Sequence, residues 1–389
     1  MTVTAPPRPP RPDDPVRHGE FEALVEALIE EARKRAQRRR RRNAVVVTLV
    51  ALIGVAVFSI LGRSAQSQTA TPALPARSGL AAGAATSQIA FMRGYIPGHG
   101  EGHKELYVMN ADGSGQRLLA RDAWMDIAWS PDGREIAFLG GGIANEGFYV
   151  VKADGSGQRR LTRDAQASGF DWAPDGQTIA FTRVRGGYRD IYVMNADGSG
   201  ERKLMQRGIT PRWSPDGQLI SFMSRRDDNW EIYVMNADGS GEKRLTRNPA
   251  YDASPAWSPD GRKIAFVRNL RNPDIYVMNA DGSGQRRLAR NATFIDWSPD
   301  PWAPDGQLIS FWSGRAGNLD IYVMNADGSG VRNLTRSAED DASPTWSPDG
   351  RKIAFGNSSG IYVMNADGSR QQRLTRNAGW LVWSPAQKR

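Results

Sequence analysis

A nine-residue phrase, YVMNADGSG or a close variant, recurs seven times, with its acidic residue at Asp112, Asp154, Asp197, Asp238, Asp281, Asp327 and Asp367. The intervals are 42, 43, 41, 43, 46 and 40 residues. A fixed period near 40 with strand-like content is the signature of a β-propeller, in which each repeat forms one blade and buries its apolar faces against its neighbours. The period constrains architecture far more than function, because propellers carry many unrelated activities.

A full repeat, residues 253–290, reads ASPAWSPDGRKIAFVRNLRNPDIYVMNADGSGQRRLAR. It holds four strand segments: a stretch ending in Trp257, then Lys263 to Val267, Asp274 to Met278 and Gln285 to Leu288. Ser258-Pro259-Asp260-Gly261 has Pro second and Gly fourth, as a type I turn with a following left-handed residue requires. Asn279-Ala280-Asp281-Gly282 follows the same logic, and the Arg268–Pro273 loop between them varies among repeats. The second-strand marker Ile-Ala-Phe or Ile-Ser-Phe stands at 89–91, 136–138, 179–181, 220–222, 264–266, 309–311 and 353–355. The first-strand Trp is Trp129, Trp172, Trp213, Trp257, Trp346 and Trp383, with Trp297 or Trp302 in the remaining repeat, where WSPDPWAPDG carries a five-residue insertion.

The chain enters the array on a second strand, at Ile89, and leaves it on a first strand, Trp383-Ser384-Pro385. The C-terminal strand is therefore expected to complete the N-terminal blade. The fold class expected is all-β: a seven-bladed propeller of four-stranded antiparallel blades, closed by strand exchange. Closure leaves only short, protected sheet edges.

The pattern W-[SA]-P-D-G … I-[AS]-F … [DE]-I-Y-V-M-N-A-D-G resembles the TolB-type, WD-like propeller repeat over residues 89–385. The resemblance implies the propeller fold. It leaves function open, since such propellers bind a lipoprotein partner in TolB and also occur in prolyl-oligopeptidase-type peptidases and polysaccharide lyases. The chain departs from TolB itself in its repeat number, in an apparent membrane anchor, and in lacking a visible N-terminal α/β domain.

That anchor lies in the first 88 residues. Residues 1–19 are Pro-rich and are expected to be disordered. Phe21, Leu24, Val25, Leu28, Ile29 and Ala32 form one helical stripe, followed by eight cations between Arg33 and Arg42. Residues 20–43 thus read as a basic amphipathic helix. Ala44 to Leu61 is uncharged; at about 1.5 Å per residue it spans roughly 27 Å, a bilayer core. Residues 44–62 are read as a transmembrane helix, 63–88 as a flexible linker and 89–389 as the propeller. The flanking cations place the N-terminus in the cytoplasm and the propeller outside, in the periplasm or at the cell exterior. A cleaved signal peptide is the alternative, disfavoured by the length of the apolar run. The amphipathic stripe suits either the anionic inner leaflet or a cytoplasmic regulator.

Composition narrows the chemistry. There is no cysteine, which excludes disulfides, thiolate metal sites and Cys nucleophiles. The net charge is +9, but residues 1–88 hold 13 Lys/Arg against 7 Asp/Glu, and the rest is nearly balanced at 38 against 35. A nucleic-acid partner for the propeller is therefore not expected. Gly356-Asn357-Ser358-Ser359-Gly360 matches GxSxG but sits in a strand-to-strand loop, and the only histidines are His18, His99 and His103. A nucleophile elbow needs a strand-to-helix turn and a histidine base. The NADGSG phrase looks like half a calcium loop but lacks the later bidentate carboxylate, and turn chemistry accounts for it.

Four residue sets remain as binding candidates. His99, Glu101 and His103 have metal-ligand chemistry in a Gly-rich loop that does nothing to fix their geometry. Arg121, Arg163, Arg207, Arg247, Arg290, Arg336 and Arg376 follow each fourth strand, and form either a cationic ring for an anionic ligand or a set of clamps onto blade carboxylates. The residue before the first-strand Trp varies from Ala128 to Asp171, Arg212, Ala256, Thr345 and Val382, and is expected to line the channel. Among the loops, Tyr188, Arg225 and Trp230 are interface-type residues, or ordinary surface decoration.

These features favour a non-enzymatic binding module with no cofactor, tethered to the membrane outside the cytoplasm, that recognises a protein, a peptide or an envelope glycan. The alternatives are a transmembrane sensor with a cytoplasmic regulator and a propeller enzyme such as a polysaccharide lyase, against which the scarcity of histidines argues.

Overall fold

Each repeat folds into hydrogen-bonded antiparallel strands because its Gly-containing turns reverse the chain every six or so residues. A computed structural model describes residues 87–386, apart from 95–103, 142–146, 163–166, 186, 228, 270 and 294–300. The N-terminal helix, the transmembrane segment and the linker up to residue 86 lie outside the described residues, as do His99, Glu101, His103, Arg163 and Trp297. The described residues are all-β.

The repeat read above forms strands Asp252–Trp257, Lys263–Arg268, Asp274–Asn279 and Arg286–Ala289, paired in that order. Three further sheets have the same four-strand order, beginning at Ala167–Trp172, Gly208–Trp213 and Ala342–Trp346. A three-stranded sheet, Leu308–Ser313, Asp320–Asn325 and Arg332–Asn333, has isolated bridges Thr293↔Trp312 and Trp302↔Ile309 where its inner strand would run. Trp302 thus stands opposite Ile309 as Trp257 stands opposite Ile264 and Trp346 opposite Ile353. It is the first-strand Trp of its repeat, and is buried.

The remaining sheet has seven strands, because Arg117–Trp129 runs unbroken from the outer edge of one unit to the inner edge of the next. Its register breaks between Ala123 and Ile127. At the far edge, the C-terminal strand Ala378–Trp383 pairs with the N-terminal strand Gln88–Arg93, placing Trp383 opposite Ile89 and Leu381 opposite Phe91. Ser384 N extends this ladder to Gln88 O at 2.7 Å. The two ends of the array are thereby stitched into one sheet.

The core follows from the marker residues. The second-strand Phe91, Phe138, Phe181, Phe222, Phe266, Phe311 and Phe355 are all fully buried. Each stacks on the tyrosine opposite it in the third strand, with centroids 5.5–5.9 Å apart. Such pairs add about 0.5–1.5 kcal/mol beyond area burial. Five stacks are capped by an arginine from the end of the second strand or just beyond it, as in Arg268, 4.4 Å from the Tyr276 ring centre. Arg93, Arg183, Arg226 and Arg315 repeat the contact.

Adjacent sheets are joined at their turns. Gly282 takes φ +88°, and a Cβ there would meet the Leu245 carbonyl oxygen of the preceding sheet at 3.1 Å. Close approaches of the same kind, at 3.1 Å, recur at the Asp-Gly turns that face Leu374, Leu161, Leu204, Leu288 and Leu334, whereas at Gly155 the nearest atom, Leu119 Cδ2, is 3.5 Å away. The phrase that defines the repeat therefore makes both the turn and the contact between sheets.

Candidate functional site

Strand direction alternates through each sheet, so the Ser-Pro-Asp-Gly and Asn-Ala-Asp-Gly turns share one end. The second-to-third-strand loops and the crossovers to the next sheet occupy the other. The turn end is nearly uniform. Asp281 Oδ1 accepts from Ser283 N at 2.9 Å, and every Ala-Asp-Gly-Ser turn, including the one that begins with Lys152 in place of asparagine, repeats that bond. Hydrogen bonds from the serine, hydroxyl first, hold these exposed carboxyls below the usual carboxylate range. Each turn carboxylate is thus engaged within its own turn.

Along the inner strands runs a chain of indole hydrogen bonds. Trp257 Nε1 donates to Arg212 O at 3.2 Å, Trp302 to Ala256 O at 3.3 Å and Trp346 to Pro301 O at 3.1 Å. Trp383 donates to Thr345 O and Trp129 to Val382 O, both at 3.2 Å. Each acceptor directly precedes the tryptophan of the preceding sheet. The chain is interrupted at Trp172 and Trp213, whose buried Nε1 atoms have no hydrogen-bond partner among the described residues.

The interruption coincides with Asp171 and Arg212, which the structure brings together across two sheets. Asp171 Oδ2 accepts from Trp213 N at 2.8 Å, and the Arg212 guanidinium reaches Phe170 O at 3.1 Å. Burial pushes the Asp171 carboxyl up, and the Arg212 charge opposes this. Both residues are intermediate in exposure. They lie toward the turn end of their strands, since Asp171 pairs with Ala180 and Arg212 with Ser221.

The other candidates belong to the loop and crossover end. Tyr188 is the most exposed large apolar side chain among the described residues, at 46%. The Arg207 guanidinium lies 4.8 Å from its ring centre, so two candidates from different sets form one cation–π pair. Arg225 is exposed and Trp230 half-buried. Of the crossover arginines, Arg121 lies 3.2 Å from Glu105. Arg247, Arg290, Arg336 and Arg376 are exposed. In the last repeat, Ser358 and Ser359 form a tight hairpin turn between Asn357 and Gly360 and bond to Glu339. The GxSxG match is thus a strand-to-strand turn.

Two features of this end were not visible in the sequence. The first is a bulge three residues before the inner-strand Trp, with positive φ at Asp126, Gly169, Thr210, Ser254, Ser343 and Trp380. A left-handed backbone at threonine or tryptophan is strained, and such strain concentrates at functional sites. The regular spacing to Trp was the available signal. The second is the third-strand carboxylate of the [DE]-I-Y motif. Asp190, Glu231, Asp274 and Asp320 accept from the backbone N–H of Arg207, Asn248, Asn291 and Ser337 at 3.0–3.1 Å. Each carboxylate pins the crossover to the next sheet.

Residues 203–300 and 283–388 match the TolB beta propeller domain family. The chain is a TolB-like β-propeller repeat protein. Among solved structures, TolB from Acinetobacter baumannii is similar at 21% identity and TM-score 0.50, over 77% of this TolB-like chain and 67% of that one. An oligogalacturonate lyase from Vibrio parahaemolyticus gives 15% identity and TM-score 0.55, over 67% and 83%. A puromycin-hydrolyzing peptidase from Mycobacterium tuberculosis gives 14% and 0.58, over 74% and 53%. No curated protein matches. At these identities the likeness is one of fold.

Proposed function

We propose that this TolB-like protein is a non-enzymatic binding module: a seven-bladed propeller, held outside the cytoplasm by the helix of residues 44–62, that recognises a protein or peptide partner through its loop and crossover end. One observation carries the reading. The turn end repeats the same exposed chemistry in sheet after sheet, whereas the opposite end presents Tyr188 stacked under Arg207 and a second exposed aromatic, Tyr251. Aromatic and arginine side chains dominate the energetics of protein interfaces. An anchor that displays the propeller at the outer face suits recognition of an envelope component, and the strained bulges beneath the loops support a shaped surface there. The test is retention of partners from an envelope extract by the purified chain. The Tyr188→Ala/Arg207→Ala variant is expected to lose them, and Arg262→Ala, at an exposed turn on the other end, to keep them. Loss of the same partners by both variants would refute the assignment of the face.

A further inference from the structure

The crossover that follows Glu231 buries two carboxylates, Glu231 and Asp252, both fully excluded from solvent. Each has its own cation. Arg244 lies 3.0 Å from Glu231, and Arg268 grips Asp252 with bonds of 2.7 and 2.8 Å. Two repeats later the same crossover recurs with Asp320 and Asp341 in the equivalent places, 2% and 1% exposed. The residues equivalent to Arg244 and Arg268 are now Asn333 and Asn357, which donate to Asp320 Oδ2 at 2.8 Å and to Asp341 Oδ1 at 2.9 Å. Both cations are replaced by neutral amides. Among the described residues, neither Asp320 nor Asp341 forms an ion pair, and the buried Asp341 Oδ2 has no hydrogen-bond partner within bonding distance. Two buried carboxylates without a counter-charge are costly to hold.

We propose that Asp320 and Asp341 hold a divalent cation, calcium by the chemistry of the donors, which supplies the charge that two arginines supply at the earlier crossover. Every candidate donor is oxygen: the two carboxylates and the hydroxyls of Thr335, 3.3 Å from Asp320 Oδ1, and Ser337. Oxygen-only donor sets select hard cations, and the irregular spacing of a crossover favours calcium over the strict octahedron of magnesium. No set of three acidic or histidine side chains converges among the described residues. The site therefore has two charged ligands, and its affinity belongs to the weak range of about 10⁻⁴–10⁻³ M found in extracellular modules. The cation would fix the crossover between the last two sheets, a structural role distinct from the partner surface proposed above.

The test is calcium titration of the purified full chain by calorimetry, with thermal melting in calcium and in EDTA. The expected result is one saturable site per chain, and a melting temperature that rises with calcium concentration. Asp341→Asn should weaken binding at least tenfold. Asn333→Arg/Asn357→Arg, which rebuilds the arginine-filled crossover, should melt at the same temperature in calcium and in EDTA. This variant keeps the proposal testable if Asp341→Asn fails to fold. Absence of saturable heat and of a calcium-dependent melting temperature in the wild type would overturn the proposal, and so would calcium binding that survives in the double-arginine variant.

Discussion

Replacing Gly282 by alanine tests whether the repeated phrase joins sheets or only turns the chain. Gly282 has φ +88°, and an added Cβ would stand 3.1 Å from Leu245 O and 3.2 Å from its Cα and Cβ. Placing an L-residue in that backbone region costs about 1–2 kcal/mol. Pushing the neighbouring sheet aside costs about 1–3 kcal/mol more, in the manner of overpacking. Gly187 is the matched control, because its φ is +82° but nothing lies within 4 Å of an added Cβ. Gly187→Ala therefore carries the conformational cost alone. The lowered entropy of the unfolded chain favours both variants equally, by about 0.4–1 kcal/mol. Urea unfolding followed by tryptophan fluorescence should place the Gly282→Ala midpoint below that of Gly187→Ala, by the equivalent of about 1–3 kcal/mol at unchanged slope. Equal midpoints would refute the argument, and the glycine would then serve the turn only.

Two further outcomes follow from the buried polar groups. Trp257→Phe removes the Nε1 bond to Arg212 O, whereas Trp213→Phe removes a donor without a partner; urea unfolding should show the first variant to be less stable by about 1 kcal/mol. Arg268→Met strips the buried Asp252 of its counter-charge and should cost about 3–5 kcal/mol near neutral pH. Burial already raises the Asp252 carboxyl above its ordinary value, so the folded state takes up a proton more readily than the unfolded chain. The loss in this variant should therefore be smallest below the unfolded value near 4 and grow as pH rises through the raised folded value. A pH-independent loss, measured by unfolding across pH 4–8, would contradict the assignment.

The strands were readable because turn residues and the Ile-Ala-Phe and Asp-Ile-Tyr markers set their limits; Lys263–Arg268 and Asp274–Asn279 each run one residue beyond the reading. Trp302 could not be told from Trp297 by spacing, since the insertion places both near a turn; the bridge to Ile309 separates them. Charge pairing was less legible. The arginine after the fourth strand is present in all seven repeats and the one near the end of the second strand in only five, yet it is the second set that caps the Phe–Tyr stacks. Which arginine faces an aromatic stack depends on strand register, and register cannot be read from a repeat count. Asp171 and Arg212 were legible as unequal residues at equivalent positions, but the Arg212 bond to Phe170 O depends on how adjacent sheets approach. The exchange of Arg244 and Arg268 for Asn333 and Asn357 was present in the sequence all along. It carries meaning only once both crossovers are seen to bury their carboxylates.

The central claim, recognition through the loop and crossover end, is tested most directly by site-specific photo-cross-linking in the intact envelope. A photoreactive phenylalanine analogue replaces Tyr188 on one end or Arg262 on the other, in the full chain. Discrete adducts at position 188 and none at position 262 are predicted. Adducts at 262 alone, or equal yields at both positions, would contradict the account.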